Sequence, residues 1–340
     1  MKNIIRYAIS VFVSFAFFAL PVSSRAGSHV GSIPFNAIYA FGDSLSDTGN
    51  DFILTGKVAP PGVNYYQGRF SNGPVAFEYL WKALTGNYRA ALKPSLGNVN
   101  YTTDKAVSFA YGGATTQLSN LTPGGFPVDG LVGQVKKFID SVHSNKITHN
   151  KNTLYALWAG ANDYLLPPPA LAGGENGDCP TTNIPNPVVC NIADAITRLY
   201  SSVGARHFLV PNLGDLGSMP ILNDPAFSGL FPPSEYLTQL TIDHNIALKS
   251  ALHELEQTYP DIHIIYVDIY SISNILIQIF PHGSQAGPAG DCLFIDPNTC
   301  TKPSKGFNAP GYVFWDVEHP TTGVHAILAA TMIPAVHNMR

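Results

Sequence analysis

The chain has 340 residues, of which 45% are apolar and only 12% charged, and its formal net charge is −4 at pH 7. That composition can bury a sizeable core and excludes a wholly disordered chain. Its 19 Lys and Arg form no cluster, which excludes a phosphate-tracking nucleic-acid surface.

Residues 1–26 read as an export signal, in which Lys2 and Arg6 precede the apolar run 8–20 and small residues around Ser24 and Ala26 suit cleavage before Gly27. The run is shorter than the ~20 residues of a spanning helix, which argues against an uncleaved anchor. A secreted protein comprising residues 27–340 is the expectation, long enough for one large α/β domain or two small ones. Residues 36–41 form a short apolar run ending at Gly42, which predicts a buried strand that delivers Asp43 and Ser44 to its carboxyl end. Runs at 153–159, 207–210 and 262–267 predict further strands, each followed by a polar turn. Helical patterns occupy 74–84, 131–142, 192–203 and about 234–259. Strands alternating with helices make parallel βαβ units, whose ligands sit beyond the carboxyl ends of the strands.

Pro- and Gly-rich stretches near 167–190 and 281–305 interrupt this rhythm, and each holds two cysteines. Cys179, Cys190, Cys292 and Cys300 allow three disulfide connectivities in an exported chain; local pairing, Cys179–Cys190 and Cys292–Cys300, closes the shortest loops. Neither spacing is of the CxxC type and neither loop contains a histidine, which disfavours zinc. The residues wanted in one site lie on both sides of these stretches, so they read as stapled surface excursions of a single domain. No internal repeat is visible.

The chemistry lies in Phe41-Gly42-Asp43-Ser44-Leu45-Ser46-Asp47-Thr48-Gly49-Asn50 and, far downstream, Asp316-Val317-Glu318-His319-Pro320. A serine hydroxyl needs an imidazole to take its proton, and the imidazole needs a carboxylate to fix its tautomer. A lone Gly-Asp-Ser triplet often makes only a turn. Here it is followed in order by Phe109-Ala110-Tyr111-Gly112-Gly113-Ala114-Thr115, by Trp158-Ala159-Gly160-Ala161-Asn162-Asp163, and by the Asp316/His319 pair. These four blocks resemble those of the GDSL, or SGNH, hydrolase family across nearly the whole of residues 27–340.

The resemblance implies a three-layer α/β/α, flavodoxin-like fold with a mostly parallel central sheet of about five strands. It implies Ser44 as nucleophile, His319 as general base and then acid, and Asp316 as orienting carboxylate. The Ser44 and Gly113 backbone N–H groups and the Asn162 amide would form the oxyanion hole. Neutral donors suit that task, since they stabilise a developing oxyanion without a charge to desolvate. Of the pair Gly112 and Gly113, the second aligns with the family glycine. The G-x-S-x-G elbow of the α/β-hydrolases is absent, and so is their wide spacing of acid and histidine.

Other polar residues carry plainer expectations. Asp43 and Asp47 cap or orient the turn beside the nucleophile, and Asp163 supports Asn162. Asp268, at a strand end, is a rival for the triad acid, far in sequence from His319. His207, His244 and His263 are structural by default, and Glu318 is expected to face solvent. Trp158, Tyr164, Leu165, Leu166 and Leu171 serve equally as acyl-chain wall or as packing, whereas 272–280 reads first as core. No metal or organic cofactor is implied, because side chains alone activate the hydroxyl.

The extended first block, the export signal and the Pro-rich cysteine stretches are similar to exported bacterial GDSL lipolytic enzymes. That likeness implies a lipid ester substrate, a lysophospholipid or phospholipid, with contact at a membrane surface. Lysophospholipase A or phospholipase A activity leads. Glycerophospholipid:cholesterol acyltransferase and carbohydrate acetylesterase are the enzymatic alternatives, and a catalytically silent surface-binding module is the non-enzymatic one.

Overall fold

Six short segments build the central sheet in a computed structural model that describes residues 35–62, 64–100, 103–147, 149–165, 184, 186–287 and 309–338. In chain order they are β1 (Ala37–Gly42), β2 (Lys93–Pro94), β3 (Ala106–Ser108), β6 (Thr153–Trp158), β7 (His207–Pro211) and β8 (His263–Val267). Between β3 and β6 lies an antiparallel hairpin of β4 (Ser119–Leu121) and β5 (Pro127–Asp129). The sheet order is β2-β3-β1-β6-β7-β8, and every pairing is parallel. The sheet has one strand more than the five expected. The four long runs fall where expected, while β2 and β3, of two and three residues, are too short to leave a periodic signature.

Every residue of β1 and β6 is buried, as for strands covered on both faces. Side chains still alternate between the faces. Ile38, Ala40, Leu154 and Ala156 pack with α2 (Ala76–Thr85), α7 (Ile269–Ile279) and α8 (Thr322–His337). Tyr39, Phe41, Tyr155 and Leu157 pack with α3 (Leu131–His143), α5 (Pro187–Val203) and α6 (Ser234–Thr258). The result is the three-layer α/β/α arrangement. Two short helices, α1 (Asn50–Leu54) and α4 (Ala161–Leu165), begin just past β1 and β6. All described residues lie in one compact unit, Ile33–Arg340.

The interrupting stretches depart from simple excursions. The helix read from 192 starts at Pro187, because Asn186 Oδ1 accepts from Val188 N at 3.0 Å and Val189 N at 3.2 Å, and proline is preorganised for the first helical position. Cys190 is therefore a buried helical residue rather than part of a surface loop, and it is disulfide-bonded. Cys179, Cys292 and Cys300 lie outside the described residues, as do residues 1–34, and with them the pairing and the signal segment. The second stretch opens as β9 (His282–Ala286), paired in parallel with β10 (Tyr312–Phe314). The run 272–280 falls in α7, with Phe280 as its C-cap. Leu276 packs in the core, Ile275 and Ile279 are exposed, and Ile277 takes part in the cavity described below.

Candidate active site

β1 lies between β3 and β6, so three carboxyl ends meet in one crevice, the place where open α/β sheets bind ligands. Gly42 ends β1 with φ +145°, and a Cβ there would fall 1.9 Å from the Trp158 carbonyl oxygen of β6. Only glycine permits that approach. Gln134 of α3, fully buried, accepts from Gly42 N and donates to Gly42 O, both at 2.8 Å, so the end of the strand is pinned on both polar atoms. Asp43 then shapes the turn that presents Ser44: its Oδ1 accepts from Leu45 N at 3.0 Å and its carbonyl from Ser46 N and Asp47 N. Burial pushes the Asp43 carboxyl up to about 7. The rest of the first block ties strands together. Asp47 caps α1 through Gly49 N and Asn50 N, and the buried Asn50 amide donates to Ser108 O at the end of β3 and to Ala110 O beyond it.

Asp316 and His319, the expected acid and base, share one tight turn. Asp316 Oδ1 accepts from Glu318 N at 2.9 Å and His319 N at 2.7 Å, while Oδ2 accepts from His319 Nδ1 at 2.7 Å. Burial alone would raise the Asp316 carboxyl; the His319 charge and these donors outweigh it and hold it below the usual range. For His319, burial favours the neutral ring, but the Asp316 and Glu318 charges prevail and push it up to about 9.

What holds this turn carries no motif in the sequence. A segment from Asn64 to Asn72 lies against it: Tyr65 OH donates to Asp316 Oδ2 at 2.7 Å, Trp315 Nε1 to Asn64 O at 3.1 Å, and Ser71 Oγ to Pro320 O at 2.9 Å. Thr322 N donates to Asn72 Oδ1 at 2.7 Å, and the Phe70 ring lies 5.1 Å from the His319 ring. The segment is itself anchored by a buried pair, in which Arg69 donates through Nε and Nη2 to the two oxygens of Glu78 at 3.2 and 2.7 Å. The available signal was Glu78, a charge among buried residues of α2 in a charge-poor chain.

The middle blocks converge on the same place. Asn162, in α4, donates from Nδ2 to Ala114 O at 3.0 Å, so the third block grips the second. Asp163 strengthens the grip by accepting from Thr116 N at 2.9 Å and Thr116 Oγ1 at 2.8 Å. Gly113 is left-handed at φ +71°. The neighbouring Gly112 is hemmed in, since a Cβ there would fall 2.4 Å from the Phe70 ring and 2.6 Å from the Asp51 carboxyl, which burial and the Asp47 charge push up.

Ser44, Gly113, Asn162 and His319 all line one cavity of about 620 Å³. Of the residues read equally as wall or packing, Trp158 and Leu165 line it, but Tyr164 does not; its hydroxyl pairs with His244 Nδ1 at 3.0 Å and Asn186 Nδ2 at 3.0 Å. Leu166 and Leu171 lie outside the described residues. Asp268 is no rival acid. It caps α7, accepting from Ser271 N at 3.1 Å and Ser271 Oγ at 2.6 Å. His244 is buried, and burial pushes its imidazole down to about 4, while His207 and His263 stack on each other along β7 and β8.

Glu318 keeps its side chain partly in solvent, as expected, and also lines the cavity, with Oε1 3.9 Å from His319 Nε2. Its charge favours the imidazolium form of His319. Glu318→Gln is therefore expected to move the acid limb of the kcat/KM profile to lower pH by several tenths of a unit, since one charge near 4 Å is screened by water at this half-open position. A pH–rate profile checks it; an unmoved or raised limb contradicts the assignment.

The chain belongs to the GDSL-like lipase/acylhydrolase family, which matches residues 38–332. The enzyme class is that of serine ester hydrolases. It is 28% identical over 377 residues to the GDSL esterase/lipase At1g28570 of Arabidopsis thaliana, covering 94% of this chain and 91% of the relative. It is likewise 28% identical over 334 residues to a phosphatidylcholine-sterol acyltransferase of Aeromonas hydrophila, covering 88% and 90%. A solved lipolytic G-D-S-L family protein from Veillonella parvula DSM 2008 aligns with a TM-score of 0.40 at 14% identity, covering 89% of this chain and 99% of that one.

Proposed function

We propose that the chain is an exported serine hydrolase that removes fatty acyl chains from lysophospholipids or phospholipids through an acyl-Ser44 intermediate. The observation that carries this reading is the cavity of about 620 Å³ on which Ser44 opens. It falls within the roughly 300–1,000 Å³ of small-molecule sites. Leu213, Met219, Phe231, Ile277, Phe314 and Leu328 line its apolar part, between the sheet and the layer of α7 and α8. A fatty acyl chain would remove that surface from water, whereas an acetyl group would leave most of it uncovered. This disfavours a carbohydrate acetylesterase. The filled catalytic positions disfavour a silent binding module.

In this mechanism His319 Nε2 takes the Ser44 proton as Oγ attacks the ester carbonyl, and Asp316 stabilises the imidazolium through Nδ1–H. The oxyanion is received by the Ser44 and Gly113 N–H groups and the Asn162 amide. His319 then returns the proton to the departing alcohol. Water, activated by the same imidazole, releases the fatty acid. A second reading, in which an alcohol such as a sterol replaces water, is favoured by the likeness to the phosphatidylcholine-sterol acyltransferase. Export is supported by Lys2, Arg6 and the apolar run after them. Cys190 in its disulfide state fits an oxidising compartment.

Protein taken from culture supernatant, with its N-terminus expected at Gly27, provides the test. Lysophosphatidylcholine and long-chain esters are expected to be cleaved with kcat/KM well above that of an acetyl ester. Ile277→Trp, which fills the cavity, is expected to lower the long-chain rate about ten-fold or more while sparing the acetyl ester. Equal rates on acetyl and long-chain esters would defeat the reading. Sterol ester formed from mixed phosphatidylcholine–cholesterol vesicles would establish the second one.

A further inference from the structure

Asp316 Oδ2 accepts two hydrogen bonds of the same length, one from His319 Nδ1 at 2.7 Å and one from Tyr65 OH at 2.7 Å. We propose that Tyr65 is a positioning residue for acyl transfer, whose phenol aligns the Asp316 carboxylate with the imidazole and tunes the base strength of His319. This rests on the reading above, in which Asp316 and His319 serve Ser44.

The geometry sets Tyr65 apart from a packing aromatic. It is 4% exposed, and its ring meets Phe70 edge-on at 6.4 Å, while Phe70 lies against His319. Its backbone neighbours are fixed by the Trp315 bond to Asn64 O and by the Arg69–Glu78 pair. The hydroxyl therefore reaches Asp316 from a rigid platform rather than from a mobile loop. Burial and the nearby Asp316 charge hold the phenol well above its ordinary range, so it stays protonated and acts as donor. A donor on Oδ2 spreads part of the carboxylate charge away from the imidazole. Without it, the carboxylate would hold the imidazolium proton more strongly and could rotate off the Nδ1–H direction. The other groups acting on His319 are Glu318 from its own turn, Asp43 from the nucleophile turn and, from α8, the neutral His325. They remain unchanged when the phenol is removed, so a displaced profile reports on Tyr65.

The experiment uses the full chain with Tyr65→Phe and, separately, with 3-fluorotyrosine at position 65, a stronger donor of nearly the same shape. For Tyr65→Phe, KM is expected to stay unchanged and kcat/KM to fall about ten-fold, the scale of one hydrogen bond to a charged group. Its acid limb is expected to move to higher pH by several tenths of a unit, and that of the fluorinated protein to lower pH. A folded Tyr65→Phe variant with wild-type rate and limb overturns the proposal. If Tyr65→Phe does not fold, the fluorinated protein decides, and an unmoved limb overturns it. A fluorophosphonate probe on Ser44 separates the two levels: a wild type that does not label sinks the acyl-transfer reading and this proposal with it. A labelled wild type whose substituted proteins keep its profile sinks only the role of Tyr65.

Discussion

Replacing Asp316 with asparagine is expected to lower kcat/KM about 10⁴-fold while leaving the fold intact. Two backbone N–H groups bind Asp316 Oδ1, and two side-chain donors, His319 Nδ1–H and Tyr65 OH, converge on Oδ2. Asparagine would keep its carbonyl oxygen on the backbone donors, which leaves its NH₂ facing Nδ1. Two donors cannot share that contact, so His319 must present Nδ1 as acceptor and carry its proton on Nε2. That tautomer cannot accept the Ser44 proton. The hydrogen bonds that shape the turn survive, so the melting temperature should change little compared with the rate. A variant within ten-fold of wild type would show that another group orients His319.

Ser44→Ala is expected to remove about 10⁶ from kcat, since the covalent route is lost together with its nucleophile. The turn presenting Ser44 is built by Gly42, Asp43, Asp47 and Gln134 rather than by the Ser44 hydroxyl, so the cavity should keep its form. The variant should therefore still bind lysophospholipid, neither turning it over nor accepting a fluorophosphonate. Measured turnover above about 1% of wild type, with labelling elsewhere, would move the nucleophile to another residue.

Much of the sheet is legible in the sequence because β1, β6, β7 and β8 are apolar runs of five or six residues bounded by turns. β3 is hidden, since three residues carry no period. The four family blocks are legible as short strings in a fixed order, and Asp316 and His319 are near enough in sequence for their contact to be read directly. Tyr65 is not, because it meets Asp316 across 251 residues and nothing local marks it. Glu318 is hidden for another reason: an acidic residue between two buried ones is ordinarily solvated, and only the cavity wall shows where it points. Asp268 shows the converse. At a strand end it looks catalytic, yet Ser271, three positions on, uses it as a helix cap.

The clasp between residues 64–72 and the turn at 314–322 also joins an early part of the chain to a late one. Ser44 and Gly113 leave the ribosome early, but the base and its carboxylate follow only when more than nine-tenths of the chain has been made. Until residue 319 emerges and closes on Tyr65 and Phe70, the serine has no proton acceptor from that turn.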